Sequence, residues 1–281
     1  MGQWIVRMGE AWLKSKPVRK HFTRILRQTL VVQCRLRGAE VKAHIDGGLM
    51  FVSGESDDAI CDALKHTFGI HAVDPYIDLP IDPAAVAEAA LGELEKIPAS
   101  FAVQCKRHGH KGEWTSQSFA GATGAAVIER EPIQVNLSNP DWALRVALFS
   151  DKARLLGERF HGPGGLPSGV QGLVQAHLET ELDVLSAWLI MHRGCRIQAI
   201  SGSTDALSEW DPMLADPEAG LVTGPGRDKD PMPWGIVGHS LPEAPTTVAE
   251  DEEIRIPLAN LEPLMGWSES EIDDLRARVF G

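Results

Sequence analysis

The chain has only four cysteines, Cys34, Cys61, Cys105 and Cys195, and no Cys-x-x-Cys pair joins any of them. That spacing argues against a zinc site and against a catalytic pair of neighbouring thiols, leaving scattered reduced thiols in apolar surroundings. No run of 18 apolar residues occurs, so no membrane-spanning helix is expected. The opening residues, Met1 to Glu10, lack the long apolar core and small-residue cleavage site of a signal peptide, and the expected location is the cytoplasm. There is no low-complexity tract and no convincing internal repeat. His108-Gly109-His110 lacks cysteine or carboxylate partners suited to a metal and reads as a solvated turn. No catalytic residue, metal site or cofactor is assigned.

Positive charge is also scarce. The 281 residues carry a formal net charge of −12, which by itself argues against a nucleic-acid partner. Its distribution argues the other way. Residues 1–42 hold ten Lys and Arg against Glu10 and Glu40 (+8), whereas residues 43–196 carry −8 and residues 197–281 carry −12. A basic head on an acidic body is the local footprint that a phosphate backbone needs. At 43% apolar and 23% charged residues, the remainder is ordinary globular protein. It is long enough for two or three domains of about 100–150 residues or less.

Read in order, Gln3–Arg7 is a short strand, and Lys14-Ser15-Lys16-Pro17 turns into a helix. Val18, Phe22, Ile25, Leu26 and Leu30 recur there at helical spacing, so one face packs down while Arg19, Lys20, Arg24 and Arg27 point outward. Val41–Ile45 and Leu49–Ser53 flank Asp46-Gly47-Gly48, a tight turn that reads as a β-hairpin. A helix over Asp57–Thr67 and a strand over Ala72–Pro75 complete a β-α-β-β-α-β order, that of a ferredoxin-like unit. A second unit opens with the cap Asp82-Pro83 and a helix to about Glu95. It continues with a strand at Phe101–Lys106 and a helix at Thr115–Ile128 whose small residues allow close approach. Strands at Trp142–Phe149 and Ala153–Phe160 complete it. Gly162 to Gln171 holds four glycines and two prolines in ten residues and can be neither helix nor strand, so it joins the parts. Beyond it, a strand at Val174–Leu178 and a helix at Leu182–Met191 begin like a nucleotide-binding fold.

Five segments in this order resemble the tRNA 4-thiouridine synthase family. They are Gly9-Glu10-Ala11-Trp12-Leu13-Lys14-Ser15 with Arg19 and Phe22, then Cys105-Lys106-Arg107, then Asn136-Leu137-Ser138-Asn139-Pro140-Asp141. The Gly162–Gln171 joint and Arg193-Gly194-Cys195-Arg196 follow. The resemblance covers residues 1–200. It implies an α/β and α+β multidomain chain: a ferredoxin-like domain over 1–76, a THUMP RNA-binding domain over 77–165, and a truncated, Rossmann-like PP-loop pyrophosphatase domain over 166–281. It further implies that the first two domains grip the acceptor end of tRNA. Lys14, Arg19, Lys20, Arg24, Lys106 and Arg107 would meet phosphates, and Gly164 and Gly165 would leave backbone amides open to RNA. Asn139-Pro140-Asp141 reads as a structural turn.

The third domain departs from the family. Where the family has a Ser-Gly-Gly-x-Asp-Ser loop to wrap the pyrophosphate of ATP, this chain has Glu179, Thr180, Glu181 and Asp183, one residue short and without glycine. Carboxylates there bring like charge to a phosphate site. Trp234–Leu241 and Ile254–Leu258 resemble later strands of the family's sheet, and Ser268-Glu269-Ser270-Glu271 caps a final helix. The stretch between Ile200 and Trp234 is acidic and rich in proline and glycine. The helices that would carry a sulfur-transferring cysteine are missing, and Cys195 matches a structural position. The expectation is a tRNA-binding protein without ATP-dependent sulfurtransferase activity, with a separate modification enzyme or a second copy of the chain as candidate partners. The alternatives are an active sulfurtransferase with an atypical loop, and a structural protein whose basic helix packs internally on the acidic third domain. A THUMP methyltransferase would need a second proline after Asn139-Pro140, and a zinc deaminase would need His-x-Glu with Pro-Cys-x-x-Cys; neither is present.

Overall fold

The computed structural model of the protein describes residues 1–109, 112–221, 232–241, 247–249 and 255–281. The first unit runs β1 (Gly2–Met8), α1 (Lys16–Leu36), β2 (Val41–Asp46), β3 (Leu49–Gly54), α2 (Asp57–Lys65) and β4 (Ile70–Leu79). Pro17 sits in the first turn of α1, where its missing N–H costs nothing. Phe22, Ile25, Leu26 and Leu30 are buried along one stripe, each contributing roughly 1.5–3 kcal/mol. Gly47 and Gly48, at φ +53° and +83°, supply the left-handed pair that a two-residue hairpin turn requires. Strand order β2-β3-β1-β4, antiparallel throughout, is ferredoxin-like.

The second unit comprises α3 (Pro83–Gly92), β5 (Ser100–Arg107), α4 (Ser116–Arg130), β6 (Gln134–Val135), β7 (Trp142–Leu148), β8 (Ala153–Leu156) and β9 (Phe160–His161). Asp82 caps α3 and Thr115 caps α4. Gly124 brings α4 close to β5, where an added Cβ would lie 3.7 Å from Val103. β4 serves both units: its first half pairs with β1 and Tyr76–Leu79 pairs with β8. Residue 76 therefore lies inside a strand, and the two sheets join as β2-β3-β1-β4-β8-β7-β5-β6.

The strand expected over Ala153–Phe160 is broken into β8 and β9. Gly157 turns its amide onto the Pro75 carbonyl and Arg159 turns inward to Asp74, so pairing stops between them. His108 is not the solvated residue expected either. It stacks on Phe149 at 5.1 Å between ring centroids, and burial, with Arg7, Lys106 and Arg154 nearby, lowers its pKa. His110 lies outside the described residues.

The third unit contains β10 (Leu173–Leu178), α5 (Glu181–His192), β11 (Arg196–Gly202) and the one-turn helices α6 (Asp205–Ser208) and α7 (Pro212–Ala215). β12 (Pro233–Val237), β13 (Thr247–Ala249), β14 (Arg255–Pro257), β15 (Ala259–Leu261) and α8 (Glu269–Phe280) follow. Four parallel strands order as β11-β10-β12-β15. The sheet's last strand is thus β15, not the expected Ile254–Leu258. Arg255–Pro257 pairs antiparallel with Thr247–Ala249 in a separate ribbon, and Ile254 lies outside the described residues. Between Ile200 and Trp234, residues 222–231 also lie outside them; the described part holds the end of β11, α6, α7, a 3-10 turn and the start of β12.

The units do not pack as separate beads. Phe68, from the first unit, is fully buried in the core of the third, with its ring 5.3 Å from Trp188, 5.5 Å from Trp210 and 5.8 Å from His192. Phe22 and Ile25 of α1 pack on Leu166 and Val170 of the joint.

Candidate nucleic-acid interface

The amino-terminal half of α1 and the tip of the β2–β3 hairpin enclose a groove of about 820 Å³. Lys16, Arg19, Lys20, Arg24 and Arg27 line it, with His21 and Thr23, against a wall of Met8, Pro17, Ile45, Gly47 and Gly48. None of these residues carries a carboxylate. Five cations lining one groove, on a chain of net −12, make a local positive field that attracts a polyanion. The helix puts them there because Lys16, Lys20, Arg24 and Arg27 fall at spacings of three and four, on the side away from the buried stripe.

Of the expected contacts, Lys14, Lys20 and Arg24 are exposed and Arg19 is half-buried. Lys14 sits just before the groove. The carboxy-terminal end of α1 is used differently: Arg37 binds Asp62, and Arg35 lies 3.5 Å from Asp216 of the third unit. At that end of the helix one cation faces the third unit and the ion pair of the other stays within the first. Lys106 is exposed at the exit of β5, whereas Arg107 is half-buried and donates to the Trp114 carbonyl at 2.8 Å. Asn139-Pro140-Asp141 is tied as a turn, with Asn136 Nδ2 donating to the Asn139 carbonyl and Ser100 Oγ to Asp141.

Gly164 and Gly165 do not offer open amides. The Gly164 N–H donates to the Ile70 carbonyl at 2.7 Å, and its own carbonyl accepts from Gly69. Gly165 is buried at φ +71°, where an added Cβ would meet the His192 carbonyl at 2.2 Å. Glycine is required there for packing the joint onto α5.

The stretch that would hold a nucleotide phosphate lies at the carboxyl ends of β10 and β12. The chain's path reverses direction across the sheet there, the usual ligand crevice of such folds. Only Glu179 and Thr180 separate β10 from α5. Thr180 caps the helix, its Oγ1 accepting from the Asp183 amide at 3.2 Å. Asp183 Oδ2 accepts from the Thr180 amide at 2.9 Å and its hydroxyl at 2.8 Å, and Oδ1 accepts from the His239 amide on the far side of the crevice at 2.7 Å. Burial raises the Asp183 pKa, but the hydrogen bonds from His239 and Thr180 outweigh it and hold the carboxyl below its usual range. The chain's own carboxylate therefore occupies donors that an anionic ligand would use. Glu181 is paired with Arg276 of α8, and Glu179 is exposed.

The sequence did not point to Asp74, which is fully buried and contacted by Arg7, Arg145 and Arg159. It lies in a run of strand residues whose partners are far away along the chain. Among the described residues no group of three or more His, Cys, Asp or Glu is placed to hold a metal, and no helix is long and apolar enough to cross a membrane.

Comparison with known proteins fits this architecture. Residues 3–73 match the ThiI ferredoxin-like domain and residues 84–156 the THUMP domain. A probable tRNA sulfurtransferase of Methanocaldococcus jannaschii is 31% identical over 203 residues, covering 68% of this chain and 53% of that protein. One from Enterococcus faecalis is 32% identical over 203 residues, covering 70% and 50%. The chain spans about half the length of these curated relatives. Among solved structures, PH1313 from Pyrococcus horikoshii superposes over 99% of both chains, with a TM-score of 0.75 at 22% identity. A 4-thiouridine synthetase, crystallised with RNA and ATP, covers 72% of this chain and 52% of its own, with a TM-score of 0.59 at 24% identity. These two likenesses establish the fold. With its ferredoxin-like and THUMP domains set ahead of a Rossmann-like third domain, the chain belongs to the ThiI-type family.

Proposed function

We propose that this protein binds the acceptor end of tRNA through its first two domains and carries out no ATP-dependent sulfur transfer, serving as a binding or accessory subunit in tRNA modification. The carboxylate-free groove beside α1 is the observation that carries the binding. Lys14, Arg19, Lys20 and Arg24 are the phosphate contacts on the first domain, with Lys106 and Arg107 on the THUMP domain. The THUMP match and the RNA-bound 4-thiouridine synthetase neighbour support this assignment. Gly164 and Gly165 are not part of it. The loss of fuelled chemistry rests on Asp183, which already takes the amides of Thr180 and His239. A separate enzyme then supplies the reaction, and the cytoplasm is the place of action.

The test is tRNA binding by the full chain across a salt series, beside calorimetry with ATP and magnesium. Affinity that falls steeply as salt rises, with no heat from ATP, is the expected pair of results. Salt-independent binding would remove the phosphate contacts from the reading, and a clear ATP isotherm would restore the active-enzyme alternative.

A further inference from the structure

Three arginines converge on one carboxylate at the seam between the ferredoxin-like and THUMP domains. Arg7 comes from β1, Arg145 from β7, Arg159 from the turn between β8 and β9, and all reach Asp74 on β4. We propose that Arg7, Arg145 and Arg159, held around Asp74, form a second phosphate-binding site for RNA, distinct from the groove beside α1. The proposal rests on the RNA-binding reading and extends it to a place where no binding residue has been assigned.

The stoichiometry makes the case. A structural ion pair needs one cation for one carboxylate, and Asp74 by itself balances only one of the three. The Asp74 side chain is 0% exposed and those of Arg7, Arg145 and Arg159 only 22%, 20% and 38%. Surplus charge that is partly desolvated and crowded by like charge is unfavourable unless an anion completes it. The hydrogen-bond geometry leaves room for one. Arg7 spends only Nε on Asp74, and Arg159 spends Nε and Nη2. Both terminal nitrogens of Arg7 and Nη1 of Arg159 therefore remain without a partner among the described residues. The carboxylate fixes the guanidinium planes beforehand, which suits the forked recognition of phosphate oxygens.

Arg145 and Arg159 are reached through a cleft of about 1120 Å³ that they line together with Tyr76 and Trp142, while Arg7 stands outside its lining. The cleft also carries acids, but most are engaged. Asp57 accepts from the Gly2 amide, Asp78 is paired with Lys152 and Arg154, and Asp141 accepts from Ser100. Glu93 and Glu158 are exposed and solvent-screened.

The experiment uses the full chain with Arg159→Gln and Arg159→Lys, and Lys20→Gln as a groove reference, each titrated with tRNA over a salt series and melted. Arg159 is the most exposed of the three, and its loss leaves Asp74 two partners. R159Q is expected to weaken tRNA binding about threefold or more and to reduce the salt slope by about one. R159K should restore the slope but not the full affinity, because it returns the charge without the fork. If K20Q weakens binding while R159Q matches wild type in affinity and slope, this site falls and the groove reading stands. If wild type binds no tRNA, both fall. Should R159Q melt early, phenylglyoxal modification of wild type replaces it: protection of Arg159 by bound tRNA supports the site, and full reactivity in the complex overturns it. Free phosphate is the other possible source of the same chemistry. Competition of millimolar inorganic phosphate with tRNA only in proteins that retain Arg159 would still support the site, whereas phosphate binding unaffected by R159Q would count against it.

Discussion

Helices α1 and α5 both follow a strand and both bring their first turn to a concave surface, yet they treat an anion in opposite ways. The start of α1 has no side-chain cap, and its first three turns carry Lys16, Arg19, Lys20, Arg24 and Arg27 into a groove free of carboxylates. The start of α5 is closed by Thr180 and Asp183 in a reciprocal capping box, with Asp183 also bridging to His239. The general helix-terminus preference for anions is the same in both. What separates the two sites is which donors are already spent and what sign of side chain surrounds them.

The sharpest way to break that comparison is at the place where the two halves meet. Phe68→Ala removes a ring buried among Trp188, Trp210 and His192 and should cost about 3–5 kcal/mol of stability in denaturant unfolding. A small effect would mean that the first and third units hold together without it. Next is the double charge reversal Lys20→Glu with Arg24→Glu. It should weaken tRNA binding by tenfold or more, roughly 1.4 kcal/mol or above, with little change in melting, since both side chains are exposed. A large drop in melting with intact binding would give the basic helix a structural role instead.

The seam cluster sets a pH test of similar size. Burial raises the Asp74 pKa, but hydrogen bonds from Arg159 and Arg7 and the charge of Arg145 outweigh it, bringing it from 3.8 to about 2. A depressed carboxylate contributes stability that is fully present above its unfolded value and lost as pH falls through its folded one. About 2 kcal/mol should therefore be lost progressively as pH falls from about 5 to about 1. Asp74→Asn should flatten that part of the acid-unfolding profile, and a profile unchanged by the substitution would refute the assignment.

The smallest expected effect is at α5. Asp183→Ala opens the cap and should cost about 0.5–2 kcal/mol. It should not create ATP binding, because no glycine loop replaces it and Glu179 and Glu181 stay. Calorimetry that detects ATP in this variant would show that the plug alone separates the two helices.

Much of this arrangement was legible in the chain. The basic face of α1, the Asp46-Gly47-Gly48 hairpin and the caps at Asp82 and Ser268 follow from local spacing and from which side chains reach a free amide. The missing glycine loop after Leu178 was likewise visible. Gly164 and Gly165 were misleading because a glycine can be required for access or for packing, and only the position of His192 decides between them. The end of the third sheet was misjudged for a related reason. Ile-x-Ile alternation fits any extended ribbon, and pairing partners choose the sheet.

What the sequence determined alone is the charge layout: a basic first helix, an acidic remainder and a strand-to-helix turn built from carboxylates. Those properties are local and survive any packing. Only the tertiary structure decided that the hairpin tip completes a groove against that helix, that Asp183 spans to His239, and that Arg7, Arg145 and Arg159 share Asp74. Each of these depends on bringing together residues 18 to 85 positions apart, and no local periodicity encodes which distant strands become neighbours.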